Sequence, residues 1–181
     1  MTAQLLSVNV VHELIRGPSR WTAIDKRPVD GSVAVDELGL EGDQQCDQRY
    51  HGGRDKALYA YAIEDADWWA DELGREVPPG LFGENLTTTG LDITNAVVGE
   101  RWQIGGSVHG ILVEVSSPRT PCSNLSGRMG IHRFHHRFVR TGRVGAYLRV
   151  LKPGKVRAGN RIQVVHRPGN ARSIGAIARR E

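Results

Sequence analysis

Apolar and polar positions along this chain recur mostly in the short runs expected of strands. Residues 5–11 are apolar and β-branched and predict a first strand, broken by Gly17-Pro18-Ser19. Residues 21–26 predict a second, ending near Pro28. Asp30-Gly31 then signals a hairpin turn, with residues 32–38 as the returning strand. Residues 57–61, 97–104, 111–115, 144–151 and 161–165 read as further strands, and Lys152-Pro153-Gly154-Lys155 as a tight turn. The period turns helical in two places. Ile63, Ala66, Trp69, Ala70 and Leu73 recur at helix spacing, Gly74 supplies the stop, and Trp68-Trp69 would anchor this helix on the core. Ile131, Phe134 and Phe138 mark a second helix between Gly130 and Gly142. Many short strands and few helices predict a mainly β fold, closed or nearly closed into a barrel, with a few short peripheral helices. Residues 168–181 read as a polar tail or a docked terminal helix.

Composition narrows the class. A chain of 181 residues can bury one continuous core, and 39% hydrophobic against 24% charged residues argues against wholesale disorder. Two cysteines without a CxxC pair make no disulfide framework. The N-terminal residues lack a basic start before an apolar run, and no apolar stretch approaches the ~20 residues that span a bilayer. The expectation is a cytoplasmic protein with reduced thiols and no membrane partner. The net charge of +4 gathers late, between Arg128 and Arg167, which suits an anionic ligand, phosphate included. Zinc-finger spacing, an aromatic-basic RNA motif and a long basic helix are all missing, so no nucleic-acid partner is expected.

Cys122 carries the most chemistry. The apolar strand ending at Val115 delivers it, Pro118 and Pro121 stiffen the turn around it, and Arg119 stands three residues before it. A neighbouring cation favours the thiolate, the form that attacks electrophiles or binds metals, whereas a lone cysteine can equally be a small buried hydrophobe. His51-Gly52-Gly53 could present bare backbone N–H groups and an imidazole to an anion, or simply turn the chain. Lys26, at the end of a strand-like run, can serve as a point charge for phosphate. Asn85, in Gly83-Glu84-Asn85-Leu86-Thr87-Thr88, offers donors and acceptors to a heterocycle edge, or to its own backbone. His132, His135 and His136 resemble a metal cluster, but no HExxH pattern supports them and the adjacent phenylalanines mark the buried stripe. Cys46 lies in a polar stretch whose distance from Cys122 the sequence does not define.

Taken in order, TAIDK around Lys26, LGLEGDQQCDQRYHGGRDKALYAY from Leu38, PGLFGENLTTTGL from Pro79, VSSPRTPCSNL from Val115 and TGRVGAYLRVLKPGKVRAGNRI from Thr141 resemble the MOSC-domain family, specifically its YiiM-like branch. The resemblance covers most of residues 5–165 and implies a MOSC domain over residues 1–167, a β-rich, barrel-like unit that binds the molybdenum cofactor. The family is similar to the mitochondrial amidoxime-reducing component and, more distantly, to the C-terminal domain of molybdenum-cofactor sulfurases. In this branch it implies reduction of N-hydroxylated compounds, such as hydroxylaminopurines and amidoximes, with a detoxifying role. By the same resemblance Cys122 is the thiolate ligand of molybdenum, a soft donor suited to that metal. Lys26, His51 and Arg119 are then candidates for the cofactor's phosphate and pterin, with Asp43 and Asn85 as polar support. No flavin, haem or iron–sulfur motif is visible, so electrons would come from a separate reductase. A non-catalytic cofactor carrier and a sulfur-transfer protein using a Cys122 persulfide remain alternatives, as either monomer or homodimer. Ser117 stands where glutamine is common in the motif and Asn124 where lysine is common. The three-helix C-terminal extension frequent in the branch is expected to be missing.

Overall fold

A computed structural model describes residues 2–18, 20–46 and 52–180. Its main sheet has eight strands: β1 (Gln4–Arg16), β2 (Trp21–Pro28), β5 (Leu58–Ala62), β6 (Leu86–Thr89), β7 (Arg101–Ile104), β8 (Ile111–Pro118), β9 (Ala146–Lys152) and β11 (Ile162–His166). They lie in the order β11-β7-β8-β9-β5-β6-β1-β2. A second sheet holds β10 (Gly154–Val156), β3 (Val33–Asp36) and β4 (Gly39–Leu40), in that order. Around them lie, among the described residues, a short 3-10 turn (Arg54–Lys56) and four α-helices: α1 (Ile63–Leu73), α2 (Ser123–Met129), α3 (Phe134–Thr141) and α4 (Ile174–Arg179).

The fold is mainly β with short helices, as expected, but the sheet does not close into a barrel. Among the described residues its edge strands β11 and β2 do not pair with each other. One isolated bridge, Gln4 to Arg161, and hydrogen bonds from Leu5 N to Asn160 O and from Ile162 N to Ala3 O, both 2.8 Å, tie the start of β1 to the start of β11. The expected hairpin also differs. Gly31 does turn the chain, at φ 83°, yet β3 pairs with β10 and β4 rather than with β2. Lys152 to Lys155 likewise carries the chain from one sheet to the other instead of folding it back on itself.

Helix α1 forms where the periodicity places it, and Gly74 ends it in the left-handed conformation at φ 61°. It connects β5 to β6, the one parallel pair among the described strands. Its Trp69 is fully buried and stacks on Phe138 of α3 at 5.6 Å, while Phe82 meets Tyr61 edge-on at 5.0 Å. This aromatic cluster locks α1 and α3 to the sheet. Helix α4 docks rather than trailing as a tail: Ile174 is buried and Ser173 bridges to Val97.

Charge is divided along the chain. Residues 1–114 hold nine Lys and Arg against nineteen Asp and Glu; residues 115–180 hold fifteen Lys and Arg and no acidic residue. The fold brings the two populations together, pairing Arg128 with Asp25, Arg137 with Glu72, Arg143 with Asp65, Arg149 with Asp55 and Glu114, and Arg167 with Glu100.

Candidate active site

Strand register assembles the site at one end of the sheet. Ser117 of β8 lies opposite Tyr147 of β9, Tyr147 opposite Tyr59 of β5, Ala60 beside Leu86 of β6, Leu86 opposite Val8 of β1, and Val11 opposite Lys26 of β2. Residues far apart in sequence therefore meet in one cleft, partly open to solvent. Lys26, Tyr59, Asn85, Arg119, Cys122 and Tyr147 line it.

Cys122 sits between β8 and α2 and caps the start of that helix in extended conformation. It is half-buried, a free thiol facing the cleft. Arg119 is nearly covered. Its guanidinium lies 4.9 Å from the centre of the Tyr59 ring, and its Nη1 is buried with no hydrogen-bond partner. Burial alone would weaken its charge, but Tyr59, Tyr147 and the Cys122 sulfur outweigh that and leave its pKa above the ordinary value. The tyrosines are fixed from below: Tyr59 Oη donates to Val144 O at 2.9 Å, and burial pushes that phenol's pKa far up.

The opposite wall is a buried polar network. Lys26 Nζ pairs with Asp43 Oδ2, which also accepts from Asn85 Nδ2 at 2.8 Å; Asp43 Oδ1 accepts from Val11 N at 2.9 Å. Asn85 Oδ1 accepts from Tyr59 N at 3.1 Å, so its side chain bridges β5 and the Asp43 loop. Desolvation lowers the Lys26 pKa, and Asp43 opposes the shift. Behind the wall Glu84 is buried. Its Oε1 accepts from Gly80 N at 2.6 Å and Thr87 Oγ1 at 3.1 Å, its Oε2 has no partner, and burial raises its pKa.

Of the six residues singled out in the sequence, Lys26, Asn85, Arg119 and Cys122 line the cleft and Asp43 lies beneath it, holding Lys26 and Asn85. His51 lies outside the described residues. The sequence reading missed Tyr59 and Tyr147, which look like ordinary strand aromatics, and the Arg20 and Lys56 side chains at the cleft. Lys56 Nζ lies 5.5 Å from the centre of the Tyr147 ring. Cys46, exposed, lines the same cleft as Cys122. The histidines are elsewhere: His135 Nδ1 lies 2.7 Å from Ser126 Oγ, and among the described residues no three His, Cys, Asp or Glu groups are arranged to hold a metal ion. No helix among them is long and apolar enough to cross a membrane.

The donor set suits an anionic, metal-bearing ligand. A soft thiol faces a cavity with four cationic side chains in its lining, and one buried guanidinium nitrogen there lacks any partner from the protein. An orphaned buried donor is costly unless something arriving in the cleft accepts from it.

The MOSC domain family model matches residues 47–163. The chain is 39% identical over 150 residues to protein YiiM of Escherichia coli, an alignment covering 81% of this chain and 65% of that protein. It is 36% identical over 155 residues to a protein of Gibberella moniliformis named reductase, covering 81% of this chain but 26% of the relative. The crystal structure of YiiM from Geobacillus stearothermophilus superposes with a TM-score of 0.78 at 33% identity, over 97% of this chain and 82% of the other. The chain thus spans just under two thirds of the length of the Escherichia coli relative. It belongs to the MOSC domain family, in the YiiM-like branch.

Proposed function

We propose that this protein is a molybdenum-cofactor-dependent reductase of N-hydroxylated compounds, with the Cys122 thiolate as the protein ligand of the metal. The observation that carries the reading is the pairing, in one cleft, of that thiol with the unpartnered buried Arg119 Nη1. When bound, the cofactor would supply the two-electron reduction that converts N–OH to N–H, with two protons taken up and water released.

The chain's own residues bind, orient and shield. Lys26 and Arg119 would hold the cofactor's phosphate and pterin oxygens, Lys26 kept in place by Asp43 and Arg119 by the ring of Tyr59. Asn85 is spent on Tyr59 and Asp43, so its part is to fix the wall rather than to read the ligand. Tyr59 and Tyr147 form an apolar backing that excludes water behind the guanidinium. A separate reductase would provide the electrons. A relative named reductase supports the reaction class.

Protein made in a cofactor-producing host should carry molybdenum and pterin and, given an electron donor, reduce 6-hydroxylaminopurine to adenine. Cys122→Ala should lose both the metal and the turnover while keeping its melting temperature. An alanine variant that still turns over would overturn the assignment. One observation favours a second reading, sulfur transfer: Cys46 offers a second thiol in the same cleft. A desulfurase-bound persulfide would pass its outer sulfur to the Cys122 thiolate and leave as a thiolate; mass spectrometry finding no sulfur adduct on Cys122 would end that alternative.

A further inference from the structure

The cleft contains an exposed aromatic face and an exposed carboxamide to which the roles described above assign no task. Three of the four tryptophans are committed to the fold. Trp69 stacks on Phe138 at 5.6 Å, Trp68 lies edge-on to Trp69 at 4.9 Å, and Trp102 donates Nε1 to Glu100 at 2.7 Å. Trp21 differs. It opens β2 at the cleft and is 56% exposed, and among the described residues its ring meets no aromatic or cationic group and its N–H no acceptor. Gln44, on the loop after β4, lines the same cleft, exposed, with no hydrogen bond to its carboxamide among the described residues. Its neighbour Gln45 is committed, donating to Lys56 O and Ala57 O at 3.4 and 3.3 Å.

An isolated surface tryptophan would need no explanation. This one shares a cavity with the Cys122 thiol and its cationic surroundings. An open indole face accepts a flat ring by stacking, whatever the ring's sequence of atoms. A carboxamide supplies a donor and an acceptor side by side, the pattern that matches an adjacent acceptor and donor on a heteroaromatic edge. Lysine or arginine would provide only donors.

We propose that Trp21 and Gln44 form the subsite that selects N-hydroxylated substrates carried on a flat heteroaromatic ring, the indole taking the ring face and the carboxamide its hydrogen-bonding edge. The proposal rests on the reductase reading above and adds to it which residues choose the substrate. Selection by ring shape would then be separate from the cationic groups, which serve the cofactor.

Two measurements test it on the full chain. In the first, adenine binding is followed by calorimetry, with and without cofactor loaded. Trp21→Ala should weaken it about tenfold or more, and Trp21→Phe, which can still stack, should remain within about threefold. Gln44→Ala should weaken adenine more than benzamidoxime, whose ring has no polar edge. In the second, the ratio of kcat/KM for 6-hydroxylaminopurine to that for acetamidoxime should fall about tenfold in Trp21→Ala, mainly through KM. Near-ultraviolet dichroism of each variant checks the fold. Adenine that binds Trp21→Ala as tightly as the parent, or does not bind the parent in either state, overturns the subsite. Adenine bound through Trp21 by a loaded protein that reduces no N-hydroxylated compound would leave the subsite standing and sink the reaction.

Discussion

At the scale of single residues, the site depends on buried charges that have few partners each. Lys26 and Asp43 form such a pair, with side-chain exposures of 8% and 5%. Removing one member leaves the other charged in a dry setting, so Asp43→Asn should cost about 3 kcal/mol in urea unfolding. The double change Lys26→Met with Asp43→Asn should recover part of that, because no lone charge remains. Glu84 gives a pH signature. Burial raises its folded pKa above the ordinary 4.5, so between those two values the folded state holds a proton that the unfolded chain has released. Stability from this group is therefore fullest below 4.5, falls as pH rises through the raised value, and is then flat. Asp65 acts in the same direction. In Glu84→Gln the melting temperature should lose less between acid and neutral pH than in the parent, as scanning calorimetry would show; an unchanged slope would mean that Glu84 ionises normally. The identities of Cys122, Lys26, Arg119 and Asn85 were legible in the sequence, since each stands in a motif with recognisable chemistry. Their tasks were less so: Asn85 is consumed by Tyr59 and Asp43, a fact set by register between strands 26 and more residues apart.

At the scale of elements, local signals predicted local outcomes well. The apolar spacing of α1 and the stop at Gly74 both hold because they need nothing beyond neighbouring residues. Pairing partners were not legible. The turn at Gly31 reverses the chain, but which strand β3 joins depends on where β10 lies, more than a hundred residues later. Helix α2 was also missed. Its sequence SNLSGRM contains poor helix formers, and its stability comes from buried Leu125 and Met129 and from Arg75 Nη2 donating to Met129 O at 2.7 Å. Two glycines hold elements at the closeness the cleft needs. Gly145, at φ 70°, leads into β9, and a Cβ there would stand 2.5 Å from Ala60 O and 2.7 Å from the Tyr59 ring. Gly145→Ala should push Tyr59 out from beneath Arg119 and lower the melting temperature; under the proposed function it should also reduce cofactor retention severalfold. Gly80, at φ 85°, lies against Lys26 O in the same way. Trp69→Ala should cost about 3–5 kcal/mol by emptying the aromatic cluster, without direct effect on the cleft residues.

At the scale of the whole molecule, the mainly β architecture followed from many short apolar runs, whereas closure of the sheet did not. A barrel requires the last strand to pair along its length with the first; here only the start of β1 reaches the start of β11. The mild net charge also hid a stronger pattern. A total of +4 is the sum of an acidic first part and a basic second part that pair across the fold. Several of these pairs are partly exposed and each is worth little alone. Together they should make unfolding modestly salt-sensitive, the midpoint falling as sodium chloride rises towards 1 M.

The turn between β7 and β8 gives this division a practical reach. Val108, at its tip, is 74% exposed, and a cut after it leaves one segment with nine basic and eighteen acidic groups and another with fifteen and two. Two such polyelectrolytes of opposite sign should find each other quickly and dock by the same strand edges that the intact chain uses. Co-expressed halves would then reconstitute the thiol-bearing cavity, faster at low ionic strength than at high, and the protein would lend itself to complementation assays in which neither half is competent alone.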